Sequence, residues 1–116
     1  MRVPVIALAG LLPAFVATQA AADVPRSVVA LLGPSLGHLM AQNDICGWDL
    51  GARIEATYKA GFTRIGLTAE QQAGVWDRAR WAQKGMLSSP DAAKARMKAE
   101  MCTPEIRARI EQDLAD

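Results

Sequence analysis

Two cysteines, Cys46 and Cys102, constrain the fold of this 116-residue chain more than any other feature. A disulfide between them would bring together residues that are far apart in the sequence. It would close a loop of about 57 residues, which in the chain-entropy model stabilises a fold by roughly 4 kcal/mol. A redox-active pair usually has C-x-x-C spacing, which this pair lacks. We therefore expect a structural disulfide between Cys46 and Cys102.

Residues 1–22 have the pattern of an export signal. Arg2 supplies a positive start, Val3–Val16 an apolar stretch, and Ala20–Ala22 an A-x-A cleavage site. We expect cleavage before Asp23 and a periplasmic or secreted product, with an uncleaved N-terminal anchor as the alternative. The apolar stretch is shorter than the roughly 20 residues that cross a bilayer, so we expect no membrane span after cleavage. An oxidising compartment also favours the disulfide.

The mature chain, residues 23–116, is predicted to be a single domain without net charge. Arg2 is the only charged residue before the cleavage site, so 12 basic and 12 acidic side chains remain. The full chain is 51% hydrophobic and 22% charged, which fits a globular protein. A neutral chain without a basic patch argues against binding to nucleic acid or to an anionic membrane surface.

Apolar residues recur at helical spacing throughout residues 23–116, without the alternation typical of strands. We therefore predict an all-α fold, a small bundle of five to six short helices closed by one disulfide. Trp48 is expected to pack in the core beside the disulfide, and Tyr58 to keep its hydroxyl at the core's rim. The predicted helix boundaries are marked by glycine, proline and capping residues, namely Gly33-Pro34, Asp49, Gly66, Thr68 with Gln71, Ser89-Pro90 and Thr103-Pro104.

The sequence has few of the parts that catalysis requires. Its only histidine is His38, and no G-x-S-x-G elbow, glycine-rich phosphate loop or C-x-x-C-H haem motif is present. Carboxylates on helix faces are typical of solvated surfaces. We expect neither enzymatic activity nor a cofactor.

A copper site is the weaker alternative, because methionine and histidine are ligands of soft metals. Met97 and Met101 are four residues apart and share one helix face, and His38 is a further candidate ligand. Methionine pairs at this spacing more often fill a core or form an adaptable contact surface. We therefore predict a protein without a metal site, and keep copper binding as the alternative.

The least ordinary pattern lies in the helix that follows Thr68. There Gly74, Arg78, Trp81 and Gly85 form a second stripe, turned by about 120° from the apolar face that contains Val75. Each glycine inside a helix costs about 1 kcal/mol relative to alanine, which suggests that another surface approaches closely. Either the N-terminal apolar helix packs on this stripe, or the stripe is a recognition surface with Trp81 and Arg78 as anchors.

A small domain that is closed by a disulfide and lacks catalytic motifs is most simply interpreted as a binding protein. We predict that it binds another exported protein as an inhibitor, immunity factor, chaperone or accessory subunit, and leave a homo-oligomer open. In size, helicity and its single long-range disulfide, its organisation is similar to that of small periplasmic acid-stress chaperones, although no motif is shared. An acid-stress chaperone is therefore an alternative, because low pH would protonate the 12 mature carboxylates and leave a self-repelling cationic chain.

Overall fold

The computed structural model describes residues 24–115, which fold into helices without any strand. In chain order these helices are α1 (Arg26–Cys46), α2 (Gly51–Arg64), α3 (Ala69–Leu87), α4 (Asp91–Met101) and α5 (Pro104–Ala115). The predicted all-α class is confirmed, with five helices in this part of the chain. The predicted signal peptide, residues 1–22, lies outside the described residues. No helix between residues 24 and 115 combines the length and the apolar character that a membrane crossing requires.

Gly33-Pro34 is predicted from the sequence to end or kink a helix. Helix α1 continues through both residues, so the helix end is wrong. Proline fixes φ near its helical value but cannot donate to the carbonyl four residues earlier. Here that carbonyl belongs to Ala30, and both Ala30 and Pro34 are exposed, so water can satisfy it. Packing of the same turn against α3 then outweighs the lost hydrogen bond.

Helices α1 and α3 cross with their backbones in close contact at Gly33 and Gly37. A Cβ atom at Gly33 would lie 2.7 Å from the Arg78 Cβ, and one at Gly37 would overlap the carbonyl oxygen of Ala79. Later residues of α1 therefore meet later residues of α3, so the two helices run parallel. The close approach expected on α3 depends instead on the glycines of α1.

The hydrophobic core lies where α1, α2 and α3 meet. Leu36, Ile54 and Val75, one from each helix, are its largest fully buried side chains. Trp48 is 5% exposed and Cys46 and Cys102 pack against the same cluster, as predicted. Helices α4 and α5 contain no buried residue, and α5 packs against the core with the partly buried side chains of Ile106, Ile110 and Leu114.

Both connections that flank α2 contain a glycine in the left-handed region. Gly47 has φ 64° and Gly66 has φ 90°, and each ends a helix in a Schellman arrangement. After α2, the Gly66 amide donates to the Thr63 carbonyl and the Leu67 amide to the Phe62 carbonyl. The predicted stop at Gly66 is therefore confirmed within one residue.

Asp49 does not cap α2, and that prediction is wrong. Its φ is 61°, a left-handed conformation unlike that of an N-cap, and its side chain is exposed. Leu50 precedes the first helical residue, and its amide donates to Oδ1 of the buried Asn43 at 2.8 Å. The acceptor for the start of α2 thus comes from the previous helix.

The other predicted helix starts agree with the structure to within one residue. Thr68 and Gln71 form the predicted capping box, and the Thr103 hydroxyl oxygen accepts from the Ile106 amide at 3.3 Å. The proposed cap at Ser89 is wrong, because Pro90 occupies the N-cap position of α4 and makes no side-chain capping bond.

Cys46 and Cys102 form the predicted disulfide, with their Cα atoms 5.3 Å apart. It joins the end of α1 to the corner between α4 and α5. Two hydrogen bonds support this junction: Gln42 Nε2 donates to the Met101 carbonyl at 2.9 Å, and Arg107 Nη2 to the Trp48 carbonyl at 3.2 Å. The disulfide therefore links the C-terminal helices directly to the core.

Candidate functional site

The four residues singled out on α3 lie on an open face of that helix, here called the Trp81 surface (Gly74, Arg78, Trp81 and Gly85). Trp81 is 80% exposed, and the other three are also exposed. The face of α3 that is turned by about 120° from this surface carries the fully buried Val75 and contacts α1, and Arg78 lies at the border between the two faces. The Trp81 surface therefore points away from the core.

Nothing in the described part of the chain packs onto the two glycines of this surface. A Cβ atom at Gly74 or at Gly85 would meet no other atom within 4 Å. Helix α1 packs against α3 at the edge of this surface, where a Cβ atom at Gly33 would lie 2.7 Å from the Arg78 Cβ, but it does not cover Gly74 or Gly85. Packing by the N-terminal apolar helix therefore accounts for Arg78 and not for the two glycines. The two glycines leave open space at the helix surface on either side of the projecting Trp81 indole.

A groove between the beginnings of α1 and α3 extends the Trp81 surface. It encloses about 650 Å³, and Gly74 and Arg78 belong both to its lining and to the surface. Arg26 and Glu70 also line it. Neither of the two arginines takes part in an ion pair within residues 24–115. Two unpaired guanidinium groups and one carboxylate make this end of the surface net positive.

Charged side chains border the indole of Trp81 on its own helix. Asp77 and Arg80 pair at 3.4 Å while both remain largely exposed, and Lys84 is also exposed. An aromatic centre with a polar, solvated rim is the usual anatomy of a protein–protein contact. The surface thus combines an exposed aromatic centre with a charged rim.

The candidate metal ligands lie on α1 and α4. His38 is exposed, whereas Met97 and Met101 are half-buried. Gln42, which lies one helical turn after His38 on α1, donates a hydrogen bond to the Met101 carbonyl at the end of α4. Within residues 24–115 no group of three or more histidine, cysteine, aspartate or glutamate side chains is placed to hold a metal ion.

One buried polar atom on α3 could not be predicted from the sequence. The indole nitrogen of Trp76 is buried without a hydrogen-bond partner among the described residues. Trp76 lines a cavity of about 190 Å³ together with Asp44, Glu55 and Gln83. Gln83 Nε2 donates to Asp44 Oδ2 at 2.6 Å, so this polar cavity suits ordered water. The helical spacing of apolar residues does not predict these neighbours.

Comparison of the chain with protein-family models, with curated proteins and with solved structures finds no match, so its geometry alone supports a functional proposal.

Proposed function

We propose that this chain is a small exported protein without catalytic activity that binds another exported protein through the Trp81 surface. The observation that carries the proposal is the 80% exposure of Trp81 between two glycines that no other part of the described chain covers. Removal of a large exposed aromatic side chain from water by a partner lowers the free energy of the complex. Tryptophan and arginine are also the residue types most enriched at binding hot spots.

Three further features support export and binding. The disulfide is typical of an oxidising compartment, and residues 1–22 have the composition of a signal peptide. The rigid pairing of α1 with α3 fixes the backbone beneath Trp81, which lowers the entropic cost of ordering the surface on binding. The single histidine and the lack of catalytic motifs favour binding over catalysis.

Site-specific photo-crosslinking in the producing cells tests this proposal. A crosslinking amino acid at Lys84, on the rim of the surface, should give a discrete protein adduct. Adding Trp81→Ala should abolish that adduct, because a hot-spot truncation weakens binding by about 2 kcal/mol or more. The same probe at Ala95, exposed on α4, is the control and should give none. An adduct that survives Trp81→Ala, or the absence of any adduct at Lys84, would contradict the proposal.

An acid-activated chaperone is a second candidate, favoured by the way α5 is attached. The Glu111 carboxylate lies 3.8 Å from Arg53 of α2 and 3.5 Å from Arg107 of α5, and all three side chains are substantially exposed. Only the pair with Arg53 joins α5 to another helix, and such exposed pairs contribute little, about 0–1 kcal/mol each. At low pH the chain as a whole becomes cationic, and repulsion between its positive charges opposes the docking of α5. Release of α5 would uncover apolar side chains of the core. Suppression of client aggregation near pH 3 but not near pH 7 would support this role, and inactivity at both values would remove it.

A further inference from the structure

The C-terminal halves of α2 and α5 enclose a second groove, separate from the Trp81 surface. It has a volume of about 590 Å³, within the range of small-molecule sites, which is roughly 300–1,000 Å³. Its walls are mostly apolar and come from α1, α2 and α5, with Leu39, Phe62, Ile65, Ile110 and Leu114 among them. Ile65 is 45% exposed, so this groove leaves apolar surface in contact with water.

Aromatic rings and a carboxylate meet at this groove. Tyr58 and Phe62 line it with ring centroids 5.9 Å apart in an edge-to-face arrangement, and Asp113 lines it from α5. The Thr57 hydroxyl donates to the Leu114 carbonyl at 3.3 Å, which holds the neighbouring Tyr58 and Asp113 on facing helices. Aromatic faces beside a carboxylate are the combination that recognises organic ammonium ions.

The electrostatics of the groove favour a cation over an anion. Asp113 takes part in no ion pair within residues 24–115. Helices α2 and α5 both end beside the groove, so both direct the negative ends of their dipoles toward it. Arg64 also lines the groove with the opposite charge, and both Arg64 and Asp113 are exposed. The long arginine side chain can extend into solvent, whereas the short side chain of Asp113 keeps its carboxylate at the groove.

We propose that this groove binds a small organic ammonium ion with an apolar body, whose charged head lies between Asp113 and the Tyr58 ring. The apolar body would replace water along Phe62, Ile110 and Leu114. This inference is independent of the protein-binding role proposed for the Trp81 surface.

Phenylbutylammonium is a suitable probe, with phenylbutanol and phenylbutanoate as its neutral and anionic counterparts. Titration of the isotope-labelled protein, followed by amide NMR shifts, should show the ammonium binding with a Kd of about 1 mM or tighter. The shifts should concentrate on the C-terminal halves of α2 and α5. The ammonium should bind about threefold to tenfold more tightly than either counterpart, since one exposed carboxylate and two ring faces act on it.

Two variants separate charge from shape. Asp113→Asn should weaken the ammonium about threefold to tenfold and leave phenylbutanol unchanged, whereas Asp91→Asn, an exposed carboxylate on α4, is the matched control. Gly61 lines the groove, and a Cβ there would meet nothing within 4 Å, so Gly61→Leu should block the groove while the protein still folds. Absence of ammonium binding, equal binding of phenylbutanoate, or retained binding in Gly61→Leu would each overturn the proposal.

Discussion

The three tryptophans of the chain occupy three different environments. Trp48 is 5% exposed and packs in the core, Trp76 is half-buried beside Phe62, and Trp81 is 80% exposed. Burial of an indole contributes free energy to folding only where folding removes it from water. Trp81 therefore contributes little to folding, whereas Trp48 contributes substantially.

Substitution of these side chains should separate folding from binding. Trp81→Ala should change the free energy of unfolding by about 0.5 kcal/mol or less, as expected for a surface position. Trp48→Ala should lower it by about 3–5 kcal/mol, because it leaves a cavity in the core. Urea unfolding of both variants measures the difference. A loss of several kcal/mol in Trp81→Ala would mean that the indole packs against other groups in solution.

The glycines of α1 and α3 should respond to alanine in opposite directions. Gly37→Ala should be strongly destabilising, because its Cβ would overlap the Ala79 carbonyl oxygen and force the helices apart. Gly74→Ala should stabilise the protein by about 0.4–1 kcal/mol, since its Cβ points into open space and alanine favours the helix. Thermal unfolding measures both effects. Destabilisation by Gly74→Ala would indicate that another surface contacts this glycine.

Tyr58 gives a residue-scale test of the second groove by titration. Burial raises the pKa of its phenol, and the carboxylate of Asp113 raises it further. The stabilisation from this shift is fully present below the unfolded pKa, near 10, and is lost as pH rises through the folded pKa. Tyr58 is the only tyrosine, so tyrosinate absorbance reports it alone.

In that titration Asp113→Asn should lower the pKa of Tyr58, because it removes one of the two causes of the shift. Asp91→Asn on α4 should leave the titration unchanged. A wild-type midpoint at or below the usual tyrosine value, or no response to Asp113→Asn, would show that the phenol and the carboxylate do not interact.

At the scale of helices, the start of α2 depends on a side chain from α1. Asn43→Ala should lower the free energy of unfolding by about 1–3 kcal/mol, because it leaves the Leu50 amide without its acceptor in a buried site. Asp49→Asn is the matched control and should have little effect, since asparagine also tolerates the left-handed backbone. Chemical denaturation compares the two. Equal losses would restore Asp49 as the cap.

Features of individual helices could be predicted where the signal is local. The capping box at Thr68 and the cap at Thr103 involve residues three apart, so the sequence contains all the groups involved. Two other features depend on packing between helices: the continuation of α1 through Pro34, and the hydrogen bond from the Leu50 amide to Asn43. Propensity alone therefore misplaced both boundaries, because tertiary contacts outweighed it.

At the scale of the whole molecule, the two cysteines predicted that the end of α1 lies beside the corner between α4 and α5. The pairing of Cys46 with Cys102 follows from there being two cysteines in the chain. The parallel crossing of α1 and α3 and the groove beside Tyr58 were not predicted. Each depends on which helix faces another, and helical periodicity identifies apolar faces without identifying their partners. The exposure of Trp81 could not be predicted either, because the sequence does not show which face of α3 the helix α1 covers.

The disulfide should matter most for α4 and α5, because neither helix contains a buried residue. Replacing both cysteines by serine should lower the free energy of unfolding by about 2–5 kcal/mol. Amide hydrogen exchange should then quicken first in α4 and α5, since the remaining attachments are partly buried apolar contacts of α5 together with exposed or part-buried hydrogen bonds and ion pairs. The crossing of α1 and α3 should retain its protection, because these two helices form the most extensive helix–helix contact of the fold and carry the fully buried Leu36 and Val75. Equal acceleration in all five helices would instead mean that the domain unfolds as one cooperative unit, with the disulfide stabilising every helix alike.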